Sequence, residues 1–234
     1  MIEPKKDDMM RSDQVADLDP YNMRGKPKHE AARELIGEEP EVEEEQFDGL
    51  KFTQEQREKL EEVGLTILQL ENLTFDDLYN NGLGKIYETK YFDLIEKMNN
   101  DRSIKTEVAI NILDPFIKDS FFKTFGEQIE LVRLFDEQIR NQIPGVKANI
   151  AEAVDLAQIS FIHAKESYFY VYNNYTRTST SIDGKLVAIS DQYNSGTSST
   201  FIKTRFDFVD RDSKLPSLGI VALIYPESYP GKSD

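Results

Sequence analysis

No cysteine occurs anywhere in the 234 residues, which rules out disulfides, thiolate metal sites and a cysteine nucleophile. Tryptophan is absent too, and histidine occurs twice, at His29 and His163. A general base needs an orienting partner and a nucleophile in reach. His29 stands in a stretch without apolar support, and His163, in "SFIHAKES", has only Glu166 close in sequence. Both read as structural or surface residues. Positive charge is scarce: 28 lysines and arginines face 43 acids, a net charge of −15. Such a surface repels nucleic acid and anionic lipid, so direct binding to either is not expected. No run of eighteen apolar residues exists to span a bilayer as a helix. The opening "MIEPKKDDMMRSDQ" lacks an apolar signal core, so export by the usual route is not expected.

Motifs that carry chemistry are equally thin. "GLGK" at Gly82 to Lys85 has glycines and a lysine before a helix, but lacks the leading strand and the following Ser/Thr of a phosphate loop. Asp207, Asp210 and Asp212 in "FDFVDRDSK" have the look of a turn more than of a hard-cation site. Acids elsewhere, such as Asp76-Asp77 and the run Glu41 to Glu45, read as solvated faces. No nucleophile elbow, kinase set or zincin motif is present. The expectation is a non-enzymatic chain with no cofactor and no metal.

What is present divides by composition. Residues 1–50 hold fifteen acidic and seven basic residues, a net of −8, with Tyr21 and Phe47 as the only aromatics. They cannot bury enough apolar surface to offset their own ordering, which predicts an extended acidic arm, free or ordered by a partner. Over 51–165 apolar residues recur at steps of three and four, predicting a bundle of four to five helices. Thr53 with Gln56 has the spacing of a capping box, Thr74 caps a short helix, and Pro144-Gly145 is a firm stop. Gly64 weakens the first helix without forbidding it. Asn149 is expected to cap a last helix. From 166 to 226 the period turns to two and predicts an antiparallel β region, with 227–234 an extended exit. Asp183-Gly184 is a two-residue hairpin signal that sets Ile182 opposite Lys185 and Thr180 opposite Val187. "LGIVALIY" is apolar on both faces, hence central or covered. Helices first and strands after give an α+β class.

Aromatics concentrate in "SYFYVYNNYTRTST". On a strand, Tyr168, Tyr170 and Tyr172 share one face and Phe169 and Val171 the other. That ladder admits three readings: sheet core, subunit interface, or a platform for carbohydrate or single-stranded nucleic acid. The polar strand "TRTSTS" suits a projecting hairpin or an edge that pairs with a neighbour. The interface candidates are therefore Tyr168, Tyr170, Tyr172, Tyr175, Arg177, Asp183 and Gly184.

Helices from Thr53 to about Ala164, the Asp183-Gly184 hairpin and the long acidic arm together resemble the layout of tailed-phage neck components, the ring or adaptor proteins between portal and tail. The resemblance is one of architecture, and no functional residue follows from it. It implies a structural, homo-oligomeric virion component that grips neighbours and other particle proteins through arm and hairpin, in virion or host cytoplasm.

Overall fold

The computed structural model describes residues 47–80, 96–98, 102–167, 171–194 and 201–228. The chain divides into two units, Met1–Gln46 and Phe47–Asp234, and the described residues all belong to the second. Most of the expected arm thus lies outside the described residues. Its end does not, and belongs to the body: Leu50 bridges Thr106, and the Glu107 amide donates to the Leu50 carbonyl at 2.7 Å.

The elements are α1 (Gln54–Glu62), β1 (Thr66–Leu70), α2 (Phe75–Asn80), β2 (Thr106–Ile110), α3 (Phe125–Gln142), β3 (Val146–Ile150), α4 (Ala153–Ser167), β4 (Tyr175–Ile182), β5 (Lys185–Asn194), β6 (Phe201–Val209), β7 (Leu218–Ile220) and β8 (Ala222–Pro226). They form two four-stranded sheets, β1-β2-β8-β3 and β6-β5-β4-β7. Every pairing is antiparallel except that of β4 with β7. The α+β class holds.

The helical bundle over 51–165 does not: two of its expected helical stretches are strands β1 and β2, and a third strand, β3, fills the run between Pro144-Gly145 and the last helix, α4. The reason is specific in each case. Gly64 ends α1 instead of weakening it, at φ +81. The Gly64 amide donates to the Glu61 carbonyl and the Leu65 amide to that of Leu60, the paired bonds of a Schellman stop. In and beside β2, Ile104, Val108 and Ile112 are four apart, and four residues is two strand periods as well as about one helical turn. In β3, Asn149 pairs with Leu223 and caps no helix. The span from Ile112 to Phe122, also expected to be helical, is a loop. Helix α3 begins only at a capping box of Thr124 and Glu127.

Other expectations stand. Thr53 and Gln56 form the capping box of α1, and Thr74 accepts the Asp77 amide before α2. The Asp183-Gly184 turn has φ 52 and 81, as a type I′ hairpin requires, and Ile182 pairs with Lys185. Thr180 does not face Val187 in simple register. Pairing shifts between Arg177 and Ser181, and the amide of Ser179, in the bulge, donates to the Ala151 carbonyl. "LGIVALIY" is buried: β8 is central in the first sheet, β7 is the end strand of the second, and Val221 between them bridges Phe116. Alternation then divides β8, with Leu223 and Tyr225 on one face and Ala222 and Ile224 on the opposite one.

Those faces define two cores. Helix α4 fills the larger, with Val154, Leu156 and Ile159 against Val108, Leu223 and Tyr225 of the first sheet and Val187, Ile189 and Phe206 of the second. Helices α1 and α3 cover the outer face of the first sheet through Leu60, Val132 and Ile139.

Candidate functional site

On that outer face the covering is incomplete. The strands present Ala109 and Ala222 beside Ile224, and two methyl side chains leave the floor low. The turn that ends α1 (Val63, Leu65) makes one wall and α3 (Phe135, Gln138, Ile139) the other, around a cleft of about 340 Å³. That volume is at the lower end of those that hold small ligands, and an apolar lining with a few polar groups is their usual make-up. Asn111, Asp114 and Lys118 stand at its mouth.

The mouth belongs to the loop between β2 and α3, which is firmly fixed at its far end. Phe116 and Phe121 pack with ring centroids 5.0 Å apart over Gly219, where an added Cβ would come within 2.6 Å of Phe116. The Ile117 amide donates to the Ile220 carbonyl, and the Ile220 amide to the Ser120 hydroxyl. At the near end Asn111 accepts the amides of Leu113 and Asp114 at 3.1 and 3.0 Å, an Asx turn. Between these anchors Leu113 is 97% exposed. Phe122, at φ 58, is 61% exposed, and its amide donates to the carbonyl of Leu215, another exposed residue.

The tyrosine cluster lies elsewhere. Tyr168 and Tyr170 fall outside the described residues. Tyr172 precedes β4 and is not in a strand; it is fully buried and its hydroxyl donates to the Leu156 carbonyl at 3.4 Å. As a ladder rung open to ligand or neighbour it is therefore excluded, and it is core. Tyr175 is half-buried at the start of β4. Arg177, also an interface candidate, is buried as well. It donates to the Lys123 carbonyl at 2.9 Å, to Gln128 Oε1 at 2.6 Å and to the Ser213 carbonyl, tying two loops to the sheet. Asp183 and Gly184 do stand at an exposed tip, where Lys97 pairs with Asp183 at 3.0 Å.

Nor is "TRTSTS" an edge at its start, for β7 pairs with β4 over Tyr175–Arg177 on the side away from β5. Its hydroxyls are paired inside: Thr178 donates to the Val187 carbonyl, while Thr176 and Thr180 accept the amides of Val221 and Ala153. A threonine strand can be internal when backbone groups satisfy it.

Two carboxylates, unremarked in the sequence, are fully buried. Asp191 accepts from Ser160, Thr204 and the amides of Val171 and Tyr172, joining α4, β6 and the approach to β4. Asp155 accepts from Ser103 at 2.6 Å and Tyr225 at 3.2 Å. Burial pushes both up to about 6 against these donors. Glu107, buried in β2, holds the Phe52 amide and Arg57. Each of the three joins separate elements, so their direct role is to tie the core.

The other sequence candidates take structural places. His163 is half-buried on α4, and Asp210 lies 4.0 Å from Lys185 beside a turn closed by the Ser213 amide. Gly82 to Lys85 fall outside the described residues. Among the described residues no helix is long and apolar enough to cross a membrane. No protein-family model matches the chain, and no curated protein or solved structure matches it.

Proposed function

We propose that this chain is a non-enzymatic structural subunit of a homo-oligomeric assembly, meeting its neighbours through the acidic arm, the Asp183-Gly184 hairpin tip and the apolar outer face of its body. The observation that carries the reading is the pairing of an exposed, anchored Leu113 with an open apolar cleft beside it. Scattered exposed leucines are ordinary; one held out rigidly next to an unfilled apolar recess is what an interface needs. Phe122 and Leu215 add a second apolar point on adjoining loops. The arm's composition supports the same reading, since a segment of net charge −8 with two aromatics gains order from a partner.

The phage-particle form of the proposal keeps the hairpin and the arm's composition as support, the helical bundle having given way to sheet. The alternative of a tyrosine platform for carbohydrate or single strands loses Tyr172 to the core. Light scattering on the eluting full-length chain tests the proposal. A mass of two or more chains at micromolar concentration is expected, and a stable monomer sinks it.

A further inference from the structure

We infer that the cleft between α1 and α3 is the contact between two copies of this chain, each placing Leu113 in the other's cleft about a two-fold axis. The inference rests on the homo-oligomer reading and specifies its surface.

A two-fold interface must be self-complementary: whatever projects on a patch has to meet its own recess on the same patch. This patch meets that condition in shape. Leu113 projects from the very loop whose neighbours Asn111 and Asp114 line the mouth of the recess. The recess has the low floor of Ala109 and Ala222 described above, and an apolar side chain entering it is removed from water on all sides. Because the Asn111 side chain holds the amides of residues 113 and 114, the projection is set before contact and little ordering entropy remains to be lost.

It meets the condition in charge. Asp114 and Lys118 stand at the same mouth with opposite signs, and neither has an ion pair among the described residues. A two-fold axis through the mouth brings Asp114 of one copy to Lys118 of the other, twice. For a chain of net charge −15, association needs such local pairing to offset general repulsion. Val63, 49% exposed on the same rim, extends the apolar area toward the roughly 1,000 Å² that a stable interface buries.

Sedimentation of the full-length chain, with a thermal melt of each variant as control for folding, tests this. Leu113→Asp is expected to weaken self-association by about tenfold or more while leaving the melt at the wild-type temperature, because the side chain it replaces touches solvent only. Asp114→Lys and Lys118→Asp should each weaken it similarly. The double variant Asp114→Lys/Lys118→Asp should restore it, since exchanging both signs rebuilds both pairs. An oligomer unchanged by Leu113→Asp and by both single reversals overturns the inference and leaves the homo-oligomer reading standing on another surface. A wild-type monomer overturns both.

Discussion

At Gly219 a hydrogen in place of a methyl group decides whether the loop between β2 and α3 can lie down. Phe116 and Phe121 occupy the space a Cβ would take, with three ring carbons within 3.0 Å of it. Gly219→Ala should therefore destabilise the body by about 1–3 kcal/mol, the cost of overpacking a fixed site. Urea unfolding measures it, and an unchanged midpoint would show the rings free to move. Asp155 and Asp191 make a prediction in pH. Their folded pKa of about 6 lies above the unfolded value of 3.8, so the folded state holds the proton more tightly. The stability they contribute is full below the unfolded value and is lost as pH rises through about 6. Each accounts for about 3 kcal/mol at full amplitude. The melting temperature should fall from pH 5 to pH 7.5, and Asp155→Asn should flatten that slope while lowering stability at pH 5. A slope identical in wild type and variant would contradict the assignment. Neither aspartate stood out in the sequence, because a single acid near the start of a helix or in a strand looks like any solvated one.

At the scale of elements, caps were readable and periods over short runs were not. Thr53 with Gln56 marked the start of α1, and the same spacing at Thr124 and Glu127 marks that of α3. Thr124→Ala should cost about 1 kcal/mol, seen in chemical denaturation. Glu127, whose carboxyl is held down at about 2 by Thr124 hydrogen bonds and by Lys214, loses its part only in strong acid. Gly64 has open space around its missing side chain, so Gly64→Ala tests backbone strain alone and should cost about 1–2 kcal/mol. No change there would mean that another stop ends α1. Strands β1, β2 and β3 escaped reading because each is five residues long, and over so short a run steps of three and four do not separate a helix from a strand. The hairpin at Asp183-Gly184 was legible because two adjacent positive φ values demand those residue types.

For the molecule as a whole, the body from Phe47 onward carries both apolar cores, and the acidic leader is a separate unit. Removing residues 1–46 should leave the melting temperature of the remainder within a degree or two, about what a surface change produces. On the proposed reading it should also reduce the mass of the assembly under light scattering. A collapse of the melt would show that the leader completes the core, and an intact assembly would show that it grips nothing.

By itself the sequence determined the properties that depend on local chemistry or on totals: the acidic balance, the absence of thiol chemistry, the capped helix starts and the tight hairpin. The tertiary structure decided what depends on residues far apart. It drew β8 between β2 and β3, turned a polar strand inward by giving its hydroxyls backbone partners, and sank Tyr172 and Arg177 into the interior. It also brought two alanines far apart in sequence, Ala109 and Ala222, onto one face of paired strands under an uncovered recess. Which face a side chain takes is local, but what stands opposite it is settled only when the sheets close around α4.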